Sequence, residues 1–348
     1  MSDELEFGLD TFGDVTLDEQ GRPKSHAQVI RDVIDQAVLA DELGVDAIGL
    51  GEHHRPDFSI SAPDVVGAAI AARTSRIRIG SSVTVLSTDD PVRVFERWST
   101  VDAISGGRAE VILGRGSFTE SYPLFGYDLA DYEKLFEEKL ELFTALLDEG
   151  PVDWAGTVRP PVRVERVYPP TESGRLRAWV GVGGSPESVV RAARYGYPLV
   201  LAIIGGDPLR FTPLVELYHR ALAHFGRPRL PVAVHSPGYI AATDEQARDE
   251  LFPHYQAMHD RIGRERGWPP LTRAQFEREA GPHGALFAGS PETVAAKIRT
   301  VVDALGLSRF TLKYSNGTLS HHQALSCIEL YATKVVPAVR ERAADPSA

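Results

Sequence analysis

The sequence predicts an α/β protein, a (β/α)8 TIM barrel with insertions over its carboxyl face, and three observations point to it. Short β-rich runs alternate with longer segments whose apolar residues recur every three to four positions, the pattern of parallel strands joined by helices. The alternation occurs eight times in 348 residues, a number and a length that suit a closed barrel. The stretch after each predicted strand is polar, glycine-rich or charged, as expected where a barrel keeps its functional groups. The main rival is a doubly wound open sheet.

The predicted strands are 6–12, 47–52, 77–86, 109–113, 178–182, 199–204, 232–241 and 309–314. Each carries two or more of Val, Ile, Leu and Phe. The third differs, because Gly80-Ser81-Ser82-Val83-Thr84 places small polar residues in a core strand, as if something flat lay against its backbone. Each strand is followed by a helical pattern. In the first, Val29, Val33, Ala37 and Ala40 form a stripe with Ile30 and Ile34, and Leu43-Gly44 supplies the stop. In the fourth, Tyr132, Leu135, Phe136, Leu140, Phe143 and Leu147 share one side, with Glu133, Lys134, Glu137, Glu138 and Lys139 opposite. Two stretches break the alternation: 150–177, proline-rich and read as a short hairpin, and 264–288, rich in glycine, proline and charge. Both read as insertions over one barrel face, with Trp154 and Trp268 as parts of an apolar lid. No linker or repeat divides the chain, so residues 1–348 are read as a single domain.

Composition narrows the function. Against 37 Lys and Arg stand 48 Asp and Glu, a net charge of −11, which disfavours nucleic acid and anionic membranes as partners. Any anion bound here needs a locally positive pocket. No basic region with an apolar run opens the chain, and no span of about 18 apolar residues occurs; a cytoplasmic location is expected. The single cysteine, Cys327, excludes an internal disulfide and a thiolate metal cluster, and its place on an apolar helical face with Tyr331 and Val335 predicts burial.

Chemistry-bearing residues cluster where strands end. Gly181-Val182-Gly183-Gly184-Ser185-Pro186-Glu187-Ser188 lies between a strand and a helix. Glycines let the backbone approach an anion, and the free amides of a first helical turn point at it. The segment is neither a dinucleotide fingerprint nor a P-loop, since Pro186 takes the last glycine position and no lysine follows. An ordinary capped helix is the alternative. After the second strand comes Gly51-Glu52-His53-His54-Arg55. Adjacent histidines on extended chain point to opposite sides, so no metal is predicted; one of them, by preference His53, faces the mouth as a proton-handling group, or both bond backbone around a turn. Gly114-Arg115-Gly116-Ser117 follows the fourth strand, an arginine unhindered by its neighbours. After the sixth stands Ile203-Ile204-Gly205-Gly206, and after the eighth Asn316-Gly317, ahead of His321 and His322.

Together these segments, with Leu50, Asp90-Pro91-Val92-Arg93 and Gly106-Gly107-Arg108, resemble the bacterial-luciferase-like family of flavin-dependent oxidoreductases over nearly the whole chain. The resemblance implies a (β/α)8 barrel that binds reduced FMN, or in a sister branch the deazaflavin F420, at the carboxyl face. By position, Ser185, Ser188 and the amides of Gly183 and Gly184 would bind the flavin phosphate and Arg115 would neutralise it. Ser82-Val83 falls where the family often has a non-prolyl cis peptide against the flavin ring. His53, with Glu52 and His54 beside it, falls on the family's active-site histidine, where it would manage a proton during oxygen transfer. Two positions depart: Ile203 stands where luciferase has an aromatic near the ring, and Glu133 where a further basic phosphate ligand aligns. The expected activity is that of a monooxygenase acting on a small organic substrate with reduced FMN supplied by a partner flavin reductase. F420-dependent hydride transfer and flavin binding without turnover are the alternatives. A homodimer through helices near the second and third strands is expected on the same ground.

Overall fold

In the computed structural model, which describes residues 5–18 and 20–343, the chain runs through twelve strands. They are β1 (Glu6–Thr11), β2 (Ala47–Leu50), β3 (Arg78–Ser81), β4 (Thr84–Val85), β5 (Ala109–Gly114), β6 (Val152–Trp154), β7 (Val162–Val164), β8 (Arg177–Val182), β9 (Leu199–Ala202), β10 (Val232–Ile240), β11 (Phe287–Gly289) and β12 (Arg309–Lys313). Residues 1–4, 19 and 344–348, and so both ends of the predicted 1–348 span, lie outside the described residues. Parallel pairing runs β1–β2–β3–β5–β8–β9–β10–β12 and returns to β1, which closes a barrel and excludes the open sheet. All eight predicted strands are staves of it.

The helices are α1 (His26–Glu42), α2 (Pro63–Ala71), α3 (Pro91–Ser105), α4 (Ser121–Leu124), α5 (Tyr132–Leu146), α6 (Pro186–Tyr195), α7 (Thr212–His224), α8 (Asp244–Arg266), α9 (Arg273–Ala280), α10 (Pro291–Leu305), α11 (His321–Leu330) and α12 (Val336–Ala343). Their starts follow local chemistry: Ser25, Asp90, Ser185, Thr243 and Ser290 cap α1, α3, α6, α8 and α10 by accepting a first-turn amide.

Barrel strands alternate sides with period two. Phe7, Leu9, Ile48, Leu50, Val111, Leu113, Leu201 and Val234 are buried in the main core between strands and helices. Ile112, Trp179, Val200 and Ala233 form a separate cluster in the lumen, joined by Val83. The amino end of the lumen is closed by charge: fully buried Arg309 donates to Glu110 (3.0 Å) and Glu6 (2.8 Å). Burial alone would raise the Glu6 carboxyl, but Arg309, Arg177 and Arg78 outweigh it and hold it at about 2.

Four expectations change. The third predicted strand breaks after Ser81 into β3 and β4, around a cis Ser82-Val83 peptide. There the Val83 carbonyl accepts from the Glu52 amide (3.1 Å) and the Val85 amide donates to the Glu52 carboxylate (2.8 Å), contacts that replace a continuous ladder. Lys139, predicted on the charged face of its helix, is buried, donating to the Ser87 carbonyl (2.7 Å) beside the Tyr127 ring. Burial lowers its ammonium to about 8. The 150–177 excursion is a β6–β7 hairpin as predicted, but it packs on α5, where buried Trp154 donates to Glu141 (3.1 Å), so Trp154 is no part of a lid.

The second excursion begins earlier than predicted. α8 is itself the insertion: it touches Thr318 after β12 (His254, 2.7 Å), Asp57 after β2 (Arg261, 3.2 Å) and the Ser117 carbonyl after β5 (Arg266, 3.0 Å), and therefore crosses the carboxyl face. Its end carries Trp268, with Arg266 over the ring at 5.4 Å.

Candidate functional site

The glycine turn after β8 does cap a helix. Ser185 is the N-cap of α6, accepting the Ser188 amide at 3.3 Å, and Gly184 adopts φ +122°, which a side chain would strain. A Cβ on Gly183 would meet no atom within 4 Å, so the backbone faces open space. Arg115, from the end of β5, lies over the Tyr132 ring and pairs with Glu133 of α5. Arg191, one turn into α6, pairs with the other Glu133 oxygen at 2.7 Å, and one of its guanidinium nitrogens, Nη1, is buried without a hydrogen bond. Glu187 takes the hydroxyl of Ser185 at 2.8 Å. Its own amide first, then Ser185, Arg115 and Arg191, hold its carboxyl below the usual range. A carboxylate thus already sits among donors arranged for an anion, taking one hydroxyl and its own first-turn amide in the field of two arginines that pair with Glu133. That donor set suits a phosphate monoester.

The centre of the mouth is built around Ser82 and Val83. A Cβ on Gly181 would lie 2.9 Å from the Val83 side chain, and Gly114 is closer still; on the other side a Cβ on Gly49 would lie 2.8 Å from the Ser82 Cβ. Glycines on neighbouring staves therefore make room for these two side chains. Val83 points down into the lumen cluster, and the Ser82 hydroxyl donates to Asp10 at 2.8 Å.

The two histidines diverge. The His53 ring packs among Phe12 (4.6 Å between centroids), Phe58 (4.6 Å) and Phe118 (5.1 Å), with Nδ1 3.8 Å from the Glu120 carboxylate. Burial would raise the Glu120 carboxyl, but the neighbouring His53 ring and nearby amides bring it below its ordinary value. His54 turns the other way, donating from Nε2 to the Glu52 carboxylate at 3.0 Å and packing its ring on Phe125. Both Glu52 oxygens are engaged, one by His54 and one by the Val85 amide. Glu52 therefore braces the broken strand and the His54 ring, while His53 sits in the aromatic pocket.

Ile203 requires correction. Its side chain is wholly buried in the outer core with Leu199 and Leu201, and its main chain bonds His235 and Ser236. By strand alternation Ile203 faces helices, and the exposed Ile204 is the apolar residue at the mouth. Among the described residues no group of three or more His, Cys, Asp or Glu could hold a metal ion. Cys327 is buried, and burial pushes its thiol up to about 12. Arg191, Glu120, Asp10 and His235 escaped the sequence reading. Arg191 follows Ser188 by three residues, one helical turn, and His235 interrupts an apolar strand; those are the signals that were available. Glu120, on a loop, left none.

Comparison with known proteins agrees with this geometry. The family model described as luciferase-like monooxygenase matches residues 11–308. The alkanal monooxygenase alpha chain of Photorhabdus luminescens is 24% identical, over 95% of this chain and 97% of its own. Among solved structures, monooxygenase RslO1 from Streptomyces bottropensis superposes with a TM-score of 0.82 at 23% identity, covering 96% of this chain and 99% of its own. The oxygenating constituent of 3,6-diketocamphane monooxygenase from Pseudomonas putida, in complex with FMN, gives 0.75 at 20% identity, over 96% and 98%. The coenzyme F420-dependent tetrahydromethanopterin reductase of Methanopyrus kandleri gives 0.70 at 18% identity, over 96% and 99%.

Proposed function

The chain belongs to the luciferase-like monooxygenase family, and from that premise we propose that it oxygenates a small organic substrate with reduced FMN delivered by a partner flavin reductase. The observation that carries this reading is the convergence, at one barrel mouth, of the α6 anion cradle, the glycine-lined Ser82-Val83 peptide and the aromatic pocket of His53.

In this proposal Ser185, Ser188 and the Gly183 and Gly184 amides hold the flavin phosphate, and Arg115 with Arg191 balances its charge once Glu187 is displaced. The backbone of Ser82 and Val83 supports the ring, with Ile204 as an apolar neighbour in place of Ile203. A flavin held there would supply the two electrons that oxygen transfer needs. His53, braced by Phe12, Phe58 and Glu120, holds or moves the proton beside it. Glu52 and His54 act as positioning residues behind it. The α8 insertion, with Arg55 clamped to Glu265 at 2.8 and 2.6 Å, excludes water from one side of the mouth.

F420-dependent hydride transfer is the second reading, favoured by the fold shared with an F420-dependent reductase. Flavin binding without turnover is the third. A homodimer through α2 and α3 belongs to the same proposal, supported by exposed Val65 and Ile104 on those helices, and so does a cytoplasmic site of action, supported by the lone buried cysteine. Anaerobic titration of the purified chain with reduced FMN and with F420, followed by oxygen uptake, decides among these. Tight binding of reduced FMN with oxygen consumption supports the monooxygenase; failure of both cofactors to bind below about millimolar overturns the flavin reading.

A further inference from the structure

The lumen holds a second histidine that the mechanism above does not use. His235 lies on β10, level with Ala202 of β9 and on the lumen side of the strand. Its ring stacks on Phe12, with centroids 6.1 Å apart and planes 13° from parallel, while His53 packs edge-on against the same ring. Phe12 thus lies between two histidines that come from residues 182 positions apart in sequence.

His235 is held by a buried carboxylate. Its Nδ1 is bonded to Asp10 Oδ2, and the Ser82 hydroxyl donates to the same oxygen at 2.8 Å. Asp10 is fully buried, and its other oxygen, Oδ1, has no hydrogen-bond partner. An oxygen that already accepts from a hydroxyl acts as the acceptor toward the ring too, so Nδ1 carries the hydrogen. The other ring nitrogen, Nε2, then has no bond to the protein among the described residues. The charged or titratable groups around this pair are Asp10 on β1, His53 across Phe12, and Lys313 on β12, 4.6 Å over the Phe12 ring. Lys313 is already committed to Asp14 at 3.2 Å and to the Ser315 carbonyl. An oriented imidazole with a free nitrogen, anchored through the very serine that supports the proposed ring site, is the arrangement by which a protein presents one hydrogen-bonding atom to a ligand.

We propose that Asp10 and His235 form a ring-recognition pair, in which Asp10 fixes the tautomer of His235 and Nε2 hydrogen-bonds a polar edge atom of the cofactor ring beside Ser82. This rests on the flavin-site reading above. Asp10 is a positioning residue; His235 is the contact.

The test is nitrogen NMR on the full chain labelled at histidine and serine, with and without anaerobic reduced FMN or F420, in the native protein, Asp10→Asn and His235→Gln. The expected result is a ligand-free His235 in the Nδ1–H form, a shift of its Nε2 signal on adding reduced FMN, loss of the tautomer preference in Asp10→Asn, and binding about tenfold weaker in His235→Gln. If reduced FMN shifts His53 and the Ser188 amide but leaves His235 unmoved, the pair has no such role while the flavin site stands. If reduced FMN and F420 both leave all these signals unmoved, the flavin site falls and the pair with it. An unchanged His235 tautomer in Asp10→Asn overturns the role of Asp10. The ligand-induced shift in the native protein is informative even where a variant folds poorly.

Discussion

The Ser185 hydroxyl donates to the carboxylate of Glu187, two residues further on, at 2.8 Å, so the first turn of α6 already holds an anion that the chain itself provides. A phosphate binding as proposed would have to displace that carboxylate from the Ser185 hydroxyl and from the field of Arg115 and Arg191. Glu187→Ala is therefore expected to tighten reduced-FMN binding about threefold to tenfold, and Ser185→Ala with Ser188→Ala to weaken it by at least as much. Anaerobic fluorescence titration reads both. Looser binding in Glu187→Ala would mean that the carboxylate supports the cradle instead of competing for it.

The contact between His53 and Glu120 predicts a functional effect separable from cofactor binding. Glu120 keeps its carboxyl below the usual range partly through His53, so it is ionised across the neutral range and faces the ring as a charge. Glu120→Gln should lower kcat and move its pH profile with flavin affinity unchanged, and His53→Asn should cost about a hundredfold or more in kcat. Steady-state rates from pH 5 to 9 are the measurement, and a Glu120→Gln profile that overlays the native one counts against the coupling.

At the other end of the barrel, Arg309 is buried between Glu110 and Glu6. Glu110→Leu leaves that guanidinium short of a partner and should destabilise the fold by about 3–5 kcal/mol, much of it recovered when Arg309→Met is added. Acid should act here as well. The Glu6 carboxyl sits at about 2 in the fold against 4.5 for a free one; its stabilisation is complete above the free value and is lost as pH falls from there through the folded one. Urea denaturation at stepped pH, native against Glu6→Gln, measures that slope, which should be shallower in the variant.

Lys297 gives a pH effect of the same sign in a higher window, from a charge that the fold disfavours. Its ammonium donates to the Leu286 carbonyl at 2.8 Å, but burial lowers its pKa to about 7 from 10.5. Between those values the unfolded chain binds more protons than the folded one, so stability rises with pH across that window, and the cost of burying the charge is greatest below it. Lys297→Met should remove the rise. Equal slopes between pH 7 and 10 in urea titrations of both proteins would contradict it.

Gly114 offers a packing test of the mouth. A Cβ there would run into the Val83 side chain, so Gly114→Ala should cost about 1–3 kcal/mol and weaken flavin binding. Adding Val83→Ala should restore part of the stability, and a double-mutant cycle by thermal unfolding quantifies the coupling.

What the sequence by itself determined is what is local. Eight β-rich runs, the helical stripes between them, the Ser185 cap with its glycines and the hairpin in 150–177 are all set by contacts within a few residues, and they stand in the structure where the sequence placed them, save for the third run, which breaks after Ser81, and for Lys139. Only the tertiary structure could decide which way a barrel stave faces. Both sides of such a strand are buried, so hydrophobicity does not distinguish Ile203, turned to the helices, from Ile204 at the mouth. Lys139 joined the core because the Ser87 carbonyl, from another element, needed a donor there. The start of the second excursion is not legible in the sequence because α8 is polar along most of its length, and nothing in that pattern tells a helix laid across the mouth from one packed on the barrel wall. Asp10, His235, Ser82 and Glu120 carry no shared signal along the chain. They meet because barrel closure brings β1, β3, β5 and β10 to one mouth, a convergence that exists only once β12 has paired with β1.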